Sequence, residues 1–148
     1  VNLRRIATAL VALVATLTAS AVIASPAQAY SGPHYWMYTN DGNPGGRVDF
    51  WPDGDIVQVC DIQADGAHVN VVLHDIFTGA GYSVQASGNG NCTTRRASQG
   101  GSYDLNERSS SRGCYLFNIR LWDDIHYVSG SEDKAAWWND NAAKRSDC

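Results

Sequence analysis

The chain has 148 residues, a formal net charge of −4 and four cysteines. That length fits one domain with a single core. The acidic balance argues against nucleic acid and anionic membrane surfaces as partners.

At the start, Arg4 and Arg5 precede an apolar and small-residue run over 6–24, and Ala27-Gln28-Ala29 follows as a small-x-small cleavage pattern. The three features read as a signal peptide over 1–29, cut before Tyr30. Losing both arginines takes the formal charge from −4 to −6. A retained membrane anchor is the competing reading, but Thr8, Thr16, Thr18 and Ser20 dilute the run. The processed protein is therefore expected to be secreted and extracellular, with no membrane attachment after cleavage.

Residues 30–46 read as an aromatic N-terminal arm and hinge. Tyr30 opens it, Pro33 keeps it extended, and Tyr35-Trp36-Met37-Tyr38 packs three aromatics and a methionine together. The turn-rich stretch 39–46 would let the segment leave the body of the domain. Tyr30, Tyr35, Trp36, Met37 and Tyr38 are the candidate partner-binding residues, because Tyr and Trp dominate interface hot spots. The competing reading is a first strand packed into the core.

Residues 47–148 read as a single β domain. Asp53-Gly54 and Asp65-Gly66 each introduce a β-branched run, and Asp-Gly between apolar runs is a hairpin signal. Val69, Val71 and Leu73 alternate with His68, Asn70 and His74, as in a half-buried antiparallel strand. Residues 82–86 form a short alternating strand, and the Gly- and Asn-rich stretch 87–96 reads as a surface loop. Tyr115, Phe117, Ile119 and Leu121 give a second clear core stripe. Residues 125–128 suggest a short return strand. Ser129 and Glu132 stand at capping-box spacing, so the C-terminal stretch is either one short helix or a final edge strand.

Short strands at regular spacing with turn signals between them suggest a small all-β antiparallel sandwich. Cys60, Cys92, Cys114 and Cys148 are even in number in an exported domain, which implies two disulfides. Three connectivities are open, with Cys92–Cys114 and Cys60–Cys148 favoured. The turn-and-strand layout running from Gly54-Asp55, Asp61 and Asp65-Gly66 to residues 114–123 resembles small secreted actinobacterial proteins with an immunoglobulin-like or related β-sandwich, mostly uncharacterised. The resemblance implies the fold and the compartment and carries no catalytic residues.

Chemistry-bearing motifs are sparse. Gly-x-Ser-x-Gly is absent. His34, His68, His74 and His126 are available as bases, and Asp123-Asp124 with His126 reads as a hairpin corner. His68 and His74 share a face but stand about 20 Å apart at strand rise, too far for one metal. Asp53, Asp55, Asp61 and Asp65 are spaced like calcium ligands, yet the EF-hand pattern is incomplete and turn formation explains the same residues. No enzyme activity, cofactor or metal is expected. The expected function is a non-enzymatic module, an adaptor or subunit of an extracellular assembly, binding another secreted protein in part through its aromatic arm. One alternative is a serine protease inhibitor presenting Arg95 and Arg96 on a disulfide-braced loop. A second is a carbohydrate-binding module whose platform would draw on Trp36, Trp51, Trp122, Trp137 and Trp138.

Overall fold

Period-two alternation of apolar and polar residues builds the observed strands. A computed structural model describes residues 30–145 and residue 148. The expected signal peptide lies outside the described residues. The strands are β1 (Tyr35–Tyr38), β2 (Gly46–Trp51), β3 (Ile56–Asp61), β4 (His68–Asp75), β5 (Gly81–Ser87), β6 (Cys92–Arg95), β7 (Cys114–Trp122) and β8 (Asp133–Trp138). They form two four-stranded antiparallel sheets in the orders β1-β2-β3-β6 and β5-β4-β7-β8. Two single-turn 3₁₀ helices, Ala97–Gln99 and Gly101–Tyr103, follow β6.

The core lies between the sheets. Val48, Phe50, Val57 and Val59 of the first sheet meet Val69, Val71, Leu73, Phe117 and Ile119 of the second, all fully buried. Removing each such side chain from water contributes about 1.5–3 kcal/mol. The sheets close tightly at Gly46, where a Cβ would sit 2.6 Å from a Val69 methyl. No helix of the described residues is long and apolar enough to cross a membrane.

The disulfides are Cys60–Cys92 and Cys114–Cys148, not the favoured pairing. Cys60 and Cys92 stand directly opposite each other across β3 and β6. Cys114 opens β7 in the other sheet, whereas Cys92 opens β6 in the first. The chain end returns past β8, where Trp138 N–H donates to Arg145 C=O at 3.2 Å, and this brings Cys148 to Cys114.

Three other local expectations change, and one open alternative is decided. The stretch 87–96 is not loop throughout: Thr93 and Thr94 are β-branched and pair with Val59 and Gln58 to make β6. Asp53-Gly54 does turn a hairpin between β2 and β3, but Asp65-Gly66 carries the chain from one sheet to the other. The return strand is reduced to one bridge between Trp122 and Tyr127. The C-terminal stretch is the edge strand β8, not a helix. Glu132 accepts from Asn118 Nδ2 at 2.6 Å instead of closing a capping box, and Trp137 is buried against Tyr35 and Phe117.

Candidate functional site

Strand alternation divides the N-terminal aromatic segment between two environments. Tyr35 and Met37 point into the core, while Trp36 and Tyr38 point outward with 49% and 38% of their surfaces exposed. Residues 35–38 are thus an edge strand of the first sheet, and 39–45 form a hairpin loop between β1 and β2. Thr39 Oγ1 fixes that loop by accepting from the N–H groups of Gly45 and Gly46, both at 3.0 Å. The segment is paired into the sandwich through β2.

The outer face around Trp36 and Tyr38 is built by cross-strand pairs. Trp36 stands opposite Asp49, and Tyr38 opposite Arg47. Asp49 is only 3% exposed, yet it sits at the centre of this face. Its Oδ1 accepts from His34 Nε2 at 2.8 Å and from Arg47 Nη2 at 2.5 Å. Burial lowers the affinity of the Arg47 guanidinium for its proton, but the hydrogen bond and charge of Asp49 outweigh this and push its pKa up. The charge of Asp49 is therefore neutralised inside the face.

The aromatic rings pack on one another. The His34 ring stacks on Trp51 with centroids 4.4 Å apart, and Tyr30 covers Trp51 at 4.7 Å. Lys144 lies 4.4 Å from the Trp36 centroid and Arg47 5.6 Å from that of Tyr38, both within cation–π range. Trp51 has neighbours against its ring, whereas Trp36 and Tyr38 keep wide exposed surfaces. The result is a rigid apolar patch with cationic flanks.

The five tryptophans do not make one platform. Trp36 and Trp51 belong to this face. Trp137 is core, and Trp138 packs near Phe77 and beneath Arg108. Trp122 meets Tyr127 edge-on, on the outer face of the other sheet.

Arg95 lies in strand β6, and Arg96 in the one-residue connection that follows it. Arg95 ends β6, paired with Val57, and its guanidinium lies 5.3 Å from the Tyr103 centroid. Arg96 precedes the first 3₁₀ helix, and its Nη2 donates to Tyr30 Oη at 3.4 Å.

The four aspartates separate to opposite ends of the sandwich. Asp55 is buried at the β2–β3 end, accepting from Leu105 N–H at 2.7 Å and Asn139 Nδ2 at 2.8 Å. Asn139 is fully buried and also donates to the carbonyl of Asn106 at 3.2 Å. Nothing in the local sequence marks this asparagine as a core residue. Asp61 and Asp65 lie at the other end, in the β3–β4 crossover. No group of three or more His, Cys, Asp or Glu side chains able to hold a metal occurs among the described residues.

No protein-family model, curated protein or solved structure matches this chain.

Proposed function

We propose that the chain is a secreted, non-enzymatic module that binds another secreted protein through the outer face of β1 and β2. One observation carries this reading: Trp36 and Tyr38 stand exposed side by side on a strand whose opposite face is held in the core. Large aromatics on a rigid backbone lose little entropy on docking, and a polar rim around such anchors excludes water. Lys144, Arg47 and His34 supply that rim. The two disulfides support an oxidising compartment. Of the five candidate residues, Trp36 and Tyr38 are the anchors, Tyr30 is a flank, and Tyr35 and Met37 hold the strand in place.

The test starts with a partner captured from culture supernatant by the processed protein and identified by mass spectrometry. Trp36→Ala should then weaken its affinity at least about tenfold, equivalent to about 1.4 kcal/mol, with an unchanged melting temperature. Full affinity in a folded Trp36→Ala protein overturns the reading. Retention on chitin or cellulose, lost in the same variant, would favour the carbohydrate alternative instead.

A further inference from the structure

At the end of the sandwich away from Asp55, the β1–β2 loop and the β3–β4 crossover carry three buried side-chain oxygens with no hydrogen-bond partner. Asp61 closes β3 and is only 2% exposed. Its Oδ1 accepts from the N–H of Gln63 at 3.3 Å, but its Oδ2 is buried with no hydrogen-bond partner in the protein. Gln63 Oε1 is buried and unpartnered in the same way. A Cβ built on Gly45 would lie 2.9 Å from a Leu121 methyl, 3.1 Å from Gln63 Oε1 and 3.2 Å from Asp65 Oδ2, so both oxygens approach the backbone at Gly45. Asp41, on the same β1–β2 loop as Gly45, adds another buried, unpartnered carboxylate oxygen.

Each of these atoms accepts and none donates. A buried carboxylate oxygen without a partner is costly, and a cation is the partner that satisfies several acceptors at once. The adjoining cleft, of about 520 Å³, is lined by Asp61, Gln63 and Asp124 and by no Lys or Arg. His68 lines it too, with Nδ1 3.5 Å from Asp124 Oδ1. Arg47 borders a neighbouring groove that Asp61 also lines; its Nη2 is committed to Asp49, and its Nε is buried without a partner.

The backbone between these ligands has a matching form. Asp61-Ile62-Gln63-Ala64-Asp65-Gly66 places oxygen-bearing side chains at the first, third and fifth positions and glycine at the sixth. That is the opening half of a calcium loop, with glutamine as an amide-oxygen ligand. Gly66 takes φ +81°, the turn that this position requires. The twelfth position, which would supply a bidentate glutamate, is Val72 inside β4. Two carboxylates and an amide oxygen suit a hard cation and not zinc.

We infer that Asp61, Gln63 and Asp65 form a weak calcium site in the β3–β4 crossover, beside the β1–β2 loop. An affinity on the order of 0.1–1 mM is expected, the range of extracellular calcium modules. The experiment is calorimetric titration of the chelator-treated, processed protein with calcium chloride, alongside thermal unfolding with and without calcium. Saturable binding and a higher melting temperature are expected. Asp65→Asn, at an exposed side chain, should weaken binding at least tenfold and remain folded. Asp53→Asn, at the other end, should bind as the unaltered chain does. Asp61→Asn should behave like Asp65→Asn if it folds, and Asp65→Asn decides the matter if it does not. No calcium binding by the unaltered chain, or equal binding by Asp65→Asn, overturns the inference.

Discussion

The Tyr35 hydroxyl donates to the Arg145 carbonyl at 2.7 Å and accepts from the N–H of the same residue. These groups are 110 positions apart in the chain. Their contact joins the edge strand β1 to the segment that ends in Cys148. The Tyr35 ring also packs against Phe50 and Trp137, with centroids 6.0 and 5.4 Å away. One residue therefore closes the sandwich along the edge where β1 and β8 meet.

Tyr35→Phe keeps the ring and removes both hydrogen bonds, and should destabilise the fold by about 1–2 kcal/mol. Tyr35→Ala should cost about 3–5 kcal/mol, as other large aromatic truncations in cores do. Urea denaturation of the two variants measures both effects. Equal stability of Tyr35→Ala and the unaltered chain would mean that β1 is not held as described.

The disulfide pairing gives a second expectation. Peptide mapping without reduction should recover Cys60 linked to Cys92 and Cys114 linked to Cys148. The sequence separations, 32 and 34, are nearly equal, so the chain-entropy contributions should be alike, at about 2–4 kcal/mol each. Their structural consequences should differ. Replacing Cys114 and Cys148 by serine releases the segment that carries Arg145 and Lys144, so Trp36 loses the cover of Lys144 and Trp138 loses its backbone bond to Arg145. Tryptophan emission should shift to the red in that variant, and much less when Cys60 and Cys92 are replaced. Identical spectra for the two double variants would count against this assignment of roles.

The legible parts of the fold were those with long alternation. Val69, Val71 and Leu73 in β4, and Tyr115, Phe117, Ile119 and Leu121 in β7, announce a core face because every second residue is apolar. These two strands are neighbours in one sheet, so the sandwich itself could be read. Strand β6 could not. It spans four residues beside a Gly- and Asn-rich stretch, and its position is set by pairing with β3, which local composition does not encode. Asp65-Gly66 gave the same turn signal as Asp53-Gly54, but a turn does not say whether the next strand stays in its sheet. In β1 the alternation of Tyr35, Trp36, Met37 and Tyr38 was present yet masked, because all four residues are large and apolar or aromatic. The buried role of Asn139 depends on partners 84 and 34 positions away, a distance that no sequence window covers.

The last expectation concerns pH and the Asp55 carboxylate. Burial pushes the Asp55 pKa above its ordinary 3.8, against hydrogen bonds from Asn139 and Leu105 that favour the charged form. A carboxyl whose pKa is raised in the folded state binds its proton more tightly there than in the unfolded chain. The stability it contributes is complete below about pH 3.8 and is lost as pH rises through the higher folded value. Asn at this position does not titrate. The stability difference between the unaltered chain and Asp55→Asn should therefore be largest near pH 3.5 and should shrink toward neutral pH, by about 1.4 kcal/mol for each unit of raised pKa. Glu107, pushed up first by burial and then by the charge of Asp55, should relax toward its usual range in the same variant. Urea unfolding of both proteins from pH 3 to 7.5 measures the difference directly. A difference that stays constant, or grows with pH, would show that the hydrogen bonds from Asn139 and Leu105 outweigh burial at Asp55.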